Sequence, residues 1–176
     1  FDGTSFTLDA VTKGAIGVPG SLYAFGINRG AGTARLALGS PPVGGSVLWD
    51  AVAILFPNGT ARVVTFPAAG APTVTTFPGI VTVAGNRISG SFAASLLPST
   101  GFAGPADYNF TLWSRLRANP AADGTNAEVA DLAPIGRALA AVPEPSGWAM
   151  TLAGFGAVGW LLRHRRKVAV RLSYAG

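Results

Sequence analysis

Three counts bound the chemistry open to this chain: one histidine, no cysteine and eight carboxylates among 176 residues. Without a thiol there is no disulfide, no thiolate nucleophile and no cysteine-held zinc or iron–sulfur site. The lone histidine, His164, stands among Arg163, Arg165, Arg166 and Lys167. A Ser-His-Asp triad or a multi-histidine zinc site therefore cannot be assembled within one chain. Carboxylate and aromatic chemistry remain. Asp50 with Asp107 is a candidate pair for glycoside hydrolysis, which needs two carboxyl groups flanking one bond. Asp123, Glu128 and Asp131, with Asn126, are oxygen donors of the kind calcium takes, but their spacing matches no EF-hand loop and a solvated linker is the favoured reading. Trp49 and Trp113, with Tyr23 and Tyr108, are candidate stacking faces for sugars, set against the core role that large rings usually fill. These patterns assign no catalytic residue, no metal ligand and no cofactor.

Several short matches carry less than their letters suggest. Leu97-Pro98-Ser99-Thr100-Gly101 resembles the LPxTG signal of Gram-positive sortases. That signal needs an apolar span and bases directly after it, whereas here a polar stretch containing Asp107 and Asn109 follows. The favoured reading is a strand end that turns at Pro98–Gly101. Gly154-Phe155-Gly156-Ala157-Val158-Gly159 fits GxGxxG, yet no acidic residue follows Glu144 to hold a ribose, as a dinucleotide site requires. Small residues are common in membrane helices, where they allow close approach. Asn58-Gly59-Thr60 and Asn109-Phe110-Thr111 match the glycosylation sequon, and are read as a turn and a strand.

Charge is distributed unevenly. Up to Val142 the chain has eight basic and seven acidic residues; from Pro143 onward it has five basic and one acidic. Four units of the net +5 thus belong to the tail, which argues against a nucleic-acid partner for the rest. The tail has three parts in order: Val142-Pro143-Glu144-Pro145-Ser146, the uncharged run GWAMTLAGFGAVGWLL at 147–162, and Arg163-His164-Arg165-Arg166-Lys167. As a helix the uncharged run reaches about 24 Å at ~1.5 Å per residue. The hydrocarbon core is ~30 Å, a difference that snorkelling bases and local thinning absorb. Trp148 and Trp160 lie near its two ends, where aromatic belts form. By the positive-inside rule the basic cluster is cytoplasmic and everything before Pro143 lies across the membrane.

Residues 142–167 resemble the PEP-CTERM sorting signal of Gram-negative bacteria, which combines a Pro-Glu-Pro box, a short hydrophobic helix and a terminal basic cluster. The resemblance implies a substrate of exosortase, an intramembrane cysteine transpeptidase that recognises the box and removes the helix and basic tail. It places Pro143, Glu144 and Pro145 as the recognition box and Arg163, Arg165, Arg166 and Lys167 as the membrane-anchor flank. It also implies association with exopolysaccharide and surface display, with catalysis belonging to the partner enzyme. Phe1 is preceded by no basic n-region and apolar h-region, so the chain is read as a mature form or fragment of a protein exported through a signal peptide.

The elements that must carry any site in the exported part are strands. Phe6, Leu8 and Ala10 alternate with polar residues, as do Tyr23, Phe25 and Ile27 with smaller ones, the period of a half-buried strand. Val47–Phe56 is apolar apart from Asp50 and turns at Pro57-Asn58-Gly59 into Ala61–Phe66, a strong hairpin signal. Ile80–Ala84 and Arg87–Leu96 flank Gly85-Asn86, a second hairpin, and Tyr108, Phe110 and Leu112 mark another strand. At 49% hydrophobic and 12% charged the chain is too apolar for disorder. The expectation is all-β: an antiparallel β-sandwich over 1–117, an Ala/Pro-rich linker over 118–141 with a helical turn at Glu128–Leu132, the sorting signal over 142–167 with a single short transmembrane helix, and a tail over 168–176. The expected function is a non-enzymatic surface or matrix protein. A small exported carboxylate hydrolase and an unprocessed bitopic inner-membrane protein are the alternatives. The expected partners are exosortase, the inner membrane in transit, and exopolysaccharide.

Overall fold

A computed structural model describes residues 1–36, 46–116, 128–133, 139–140 and 154–160. The chain divides into two units, Phe1–Val142 and Pro143–Gly176. The first is mostly antiparallel β-sheet. The second contributes one short helix, residues 154–160.

Among the described residues, two main sheets build the first unit. The smaller has the order β1 (Ser5–Val11), β9 (Arg87–Ala93), β8 (Val81–Ala84). The larger runs β11 (Val129–Ala133), β10 (Asn109–Leu116), β2 (Ser21–Asn28), β5 (Ala51–Leu55), β6 (Ala61–Thr65), β7 (Thr73–Phe77), with β12 (Leu139–Ala140) also paired to β10. A two-stranded ribbon joins β3 (Thr33–Ala34) to β4 (Leu48–Trp49). Both expected hairpins are present. β5 and β6 pair from Ala51↔Thr65 to Leu55↔Ala61 across Asn58-Gly59, where Gly59 adopts φ +90°. β8 and β9 pair from Val81↔Gly90 to Ala84↔Arg87 across Gly85, at φ +62°. A left-handed backbone of this kind is open to glycine at no steric cost. The second strand ends at Ala93, and Ala94–Leu96 forms a 3-10 turn.

The apolar side chains explain why the sheets face each other. Phe6, Leu8 and Ala10 of β1 and Ile88 and Phe92 of β9 share a core with Phe25 and Ile27 of β2, Ala53 and Leu55 of β5, and Val63 of β6. β1 buries alternate residues, as its pattern predicts. β2 does not. Leu22, Ala24 and Gly26, the alternate set, are buried as well. Leu22 and Ala24 pack with Leu36, Val47, Trp49, Val52, Trp113 and Leu132 in a second core. A central strand covered on both faces reads as a near-continuous apolar run, and that is what Leu22–Ile27 is.

Residues expected to form a linker join the large sheet. Val129–Ala133 is strand where a helical turn was expected at Glu128–Leu132: β11 pairs with β10 at Leu112↔Ala133, Trp113↔Leu132, Ser114↔Asp131 and Arg115↔Val129. Glu128 enters it at φ +52°. The unpaired backbone along β10 takes up these residues, and Leu132 closes over the second core. In the second unit, no helix among the described residues is long and apolar enough to cross a membrane. The helix 154–160 lies within the expected span of 147–162, whose remaining residues are outside the described ones, and it exposes Phe155, Val158 and Trp160.

Candidate functional site

The one charged residue inside an apolar run, Asp50, proves to organise a buried polar cluster. β2 ends at Asn28 and the chain turns through Arg29-Gly30, bringing Arg29 beside Asp50, which separates β4 from β5. Arg29 and Asp50 are 4% and 3% exposed. Asp50 Oδ1 accepts from the Arg29 backbone N–H at 3.1 Å and from Nε at 3.0 Å, while Oδ2 accepts from the Thr100 hydroxyl. The remaining guanidinium nitrogens donate to Pro98 O at 3.1 Å and Asp50 O at 3.3 Å. Buried ions are tolerated when opposite charge and hydrogen bonds replace the lost water, and here each partner has both.

Leu97–Gly101 is the other half of this cluster. Thr100 and Phe102 donate their N–H groups to Arg29 O at 3.0 and 3.2 Å, and Ala31 N–H donates to Thr100 Oγ1 at 3.0 Å. The approach is so close that a Cβ on Gly30 would lie 2.4 Å from Phe102 N, and Gly30 sits at φ +124°. Glycine is required on both counts. Tyr108, fully buried, donates its hydroxyl to Leu97 O at 2.8 Å. Burial is the main cause pushing its phenol pKa above the usual 10.0. The sortase-like pentapeptide is therefore a structural clasp held against an ion pair. Sequence reasoning placed a turn there but missed the clasp. The available signal was Asp50 itself, a carboxylate in an apolar run that had to find a partner.

The candidate carboxylate pair does not share one environment. Asp50 has both oxygens engaged in the interior, whereas Asp107 is exposed at the end of a 3-10 turn, Pro105–Asp107. Nor do the tryptophans offer sugar platforms. Trp49 and Trp113 are 2% and 0% exposed, and their ring centroids lie 5.8 Å apart inside the second core. Trp49 meets Phe66 edge-on at 5.2 Å, with the Arg35 guanidinium 4.7 Å from the Phe66 ring. Gly26 makes room for the pair, since a Cβ there would lie 2.8 Å from Trp113 Cζ3. Tyr23 and Tyr108 are buried too. Of the acidic trio, Glu128 and Asp131 lie at β11 and Asp123 is outside the described residues; among those described, no three candidate ligands gather.

An open cavity of about 670 Å³ lies on the outer face of the large sheet, and its lining includes Leu22, Ile54, Phe56 and Val64 with Arg62 and Arg115. Arg62 Cζ lies 5.5 Å from the Phe56 ring, and no carboxylate among the described residues lines the cavity.

The remaining candidate is the C-terminal signal. Gly154–Gly159 occupies the helix 154–160, not the strand-to-helix turn that cradles a phosphate. Comparison with family models finds a match at residues 141–167, to the PEP-CTERM protein-sorting motif. The chain carries a PEP-CTERM sorting motif. No curated protein and no solved structure matches the chain. A PEP-CTERM motif directs an exported Gram-negative protein to an exosortase, and its boundaries agree with those read from charge and hydropathy. Its box residues Pro143, Glu144 and Pro145, and its basic residues Arg163, Arg165, Arg166 and Lys167, lie outside the described residues.

Proposed function

We propose that this is a non-enzymatic surface or extracellular-matrix protein, held in the inner membrane only until an exosortase processes it. The sorting motif at 141–167 carries the reading. In this scheme the apolar run 147–162 is a short membrane span, Arg163–Lys167 holds its cytoplasmic end, and Pro143-Glu144-Pro145 is presented at the opposite face. A proline-stiffened segment has little freedom to lose on docking, and Glu144 is the single charge available to a basic site. The exported part, a β-sandwich, is then the cargo.

Two observations support the non-enzymatic reading. Asp50, one of the two carboxylates the sequence offers for hydrolysis, is used in the clasp. Asp107 is exposed at the end of a 3-10 turn. Association with exopolysaccharide draws support from the open cavity, where the exposed Arg62 guanidinium borders an apolar floor. Guanidinium forks match carboxylates and phosphates, so an acidic polymer suits this face better than a neutral one.

The decisive experiment is the intact mass of the protein expressed with and without an exosortase. Loss of a C-terminal fragment that includes 147–176, only when the enzyme is present, is the expected result. Retention of that segment in its presence would sink the proposal and leave a permanently anchored bitopic protein.

A further inference from the structure

The four edges of the two main sheets are not equally protected. An edge strand presents unpaired backbone groups that recruit other strands, and natural proteins guard such edges with charges, prolines or bulges. β1 carries Asp9, ion-paired to Arg87, and β11 carries Asp131. β7 and β8 carry nothing comparable. No charged residue lies between Arg62 and Arg87, a stretch that spans both strands. β7 is Thr-Val-Thr-Thr-Phe, every residue β-branched or aromatic, the composition most at home in a sheet. No described strand pairs with its outer side, and Val74 is 55% exposed. Pro72 and Pro78 flank the strand without interrupting it, so the open edge is short and has defined ends.

We propose that β7 is a self-association edge, where a second copy of this chain adds its own β7 antiparallel. Two arguments select a second copy as the occupant. An uncharged edge meets its own copy without repulsion, and it offers a charged partner strand no complementary side chain. The sequence is also self-complementary about Thr75: an antiparallel two-fold pairs Thr75 with itself, Val74 with Thr76, and Thr73 with Phe77. These are the β-branched and aromatic cross-strand pairs that stabilise sheets. The resulting interface is isologous, closes at two copies, and extends the large sheet across both molecules. This inference is independent of whether the sorting signal is cleaved.

The absence of cysteine makes the test direct. Thr75→Cys introduces a single thiol that the two-fold places opposite its copy, within the span a disulfide bridges. Mild oxidation of the full chain in detergent should convert this variant to a covalent dimer. Thr7→Cys, on the guarded edge β1, should stay monomeric under the same treatment. Adding Val74→Lys to the Thr75→Cys variant places charge on an exposed position of the edge and should abolish the cross-link. The proposal is overturned if Thr75→Cys yields no more dimer than Thr7→Cys, or if the cross-link survives Val74→Lys.

Discussion

Two carboxylate–guanidinium pairs stand in the same unit under opposite conditions. Asp9 and Arg87 meet across β1 and β9 with side chains 30% and 61% exposed, through two parallel hydrogen bonds. Arg29 and Asp50 meet with both side chains 4% exposed. The outer pair has the better fork, because Arg87 gives two nitrogens to the two oxygens of Asp9. That contact, first through its hydrogen bonds and then through charge, raises the Arg87 pKa above its ordinary value. Water competes for both partners, so the geometry contributes little to stability. The inner pair gives only part of its hydrogen bonding to its partner and the rest to Pro98, Thr100 and its own backbone. Its importance comes from what would be stranded if either member were lost. Surroundings, not the quality of the contact, decide which pair the fold depends on.

The contrast can be broken at the inner pair first. Asp50→Ala leaves a buried guanidinium without its counter-ion and should cost about 3–5 kcal/mol, read as a lowered urea midpoint at unchanged slope. The double variant Arg29→Met with Asp50→Leu should recover part of that loss, because an apolar replacement strands nothing. A smaller effect is expected at Tyr108, beside the clasp. Burial raises its folded-state pKa above the unfolded 10.0, so the neutral phenol is the stabilised form. Its contribution is complete below pH 10 and is lost as pH climbs through the folded value. Stability followed into alkali should fall more steeply for the parent than for Tyr108→Phe. The smallest effect belongs to Asp9→Asn. Its melting temperature should match the parent at high salt and differ only slightly at low salt, as screening predicts.

Legibility followed the span over which each signal is written. The sorting motif is contiguous, and its three parts announce themselves by composition. The Asn58-Gly59 and Gly85-Asn86 hairpins are equally local, since a turn residue and two flanking runs suffice. β2 was only half legible. Tyr23, Phe25 and Ile27 show the alternation, but the smaller Leu22, Ala24 and Gly26 conceal a second buried face that only Trp49 and Trp113 define. β11 was illegible because Val129-Ala130-Asp131-Leu132-Ala133 has little strand character of its own. It becomes a strand by pairing with β10, a tertiary effect that overrides local preference. The clasp was the least visible, because residues 29, 50 and 97–102 meet only once two sheets have assembled. Asp50 advertised a need without naming its partner.

The clasp has a consequence for resistance to proteolysis. Exposed loop tips are where proteases nick folded proteins, and a protease must draw a segment into an extended strand before cutting it. The loop through Ser99–Phe102 runs along the surface, with Thr100 and Gly101 exposed. Its backbone nevertheless donates twice to Arg29 O, and its threonine is tied to a buried carboxylate. Pulling this loop free would uncover the ion pair beneath it, so a cut there must first overcome part of the unfolding cost. A segment that looks like a cleavage signal by its letters is, by its attachments, among the harder places on the surface to cleave.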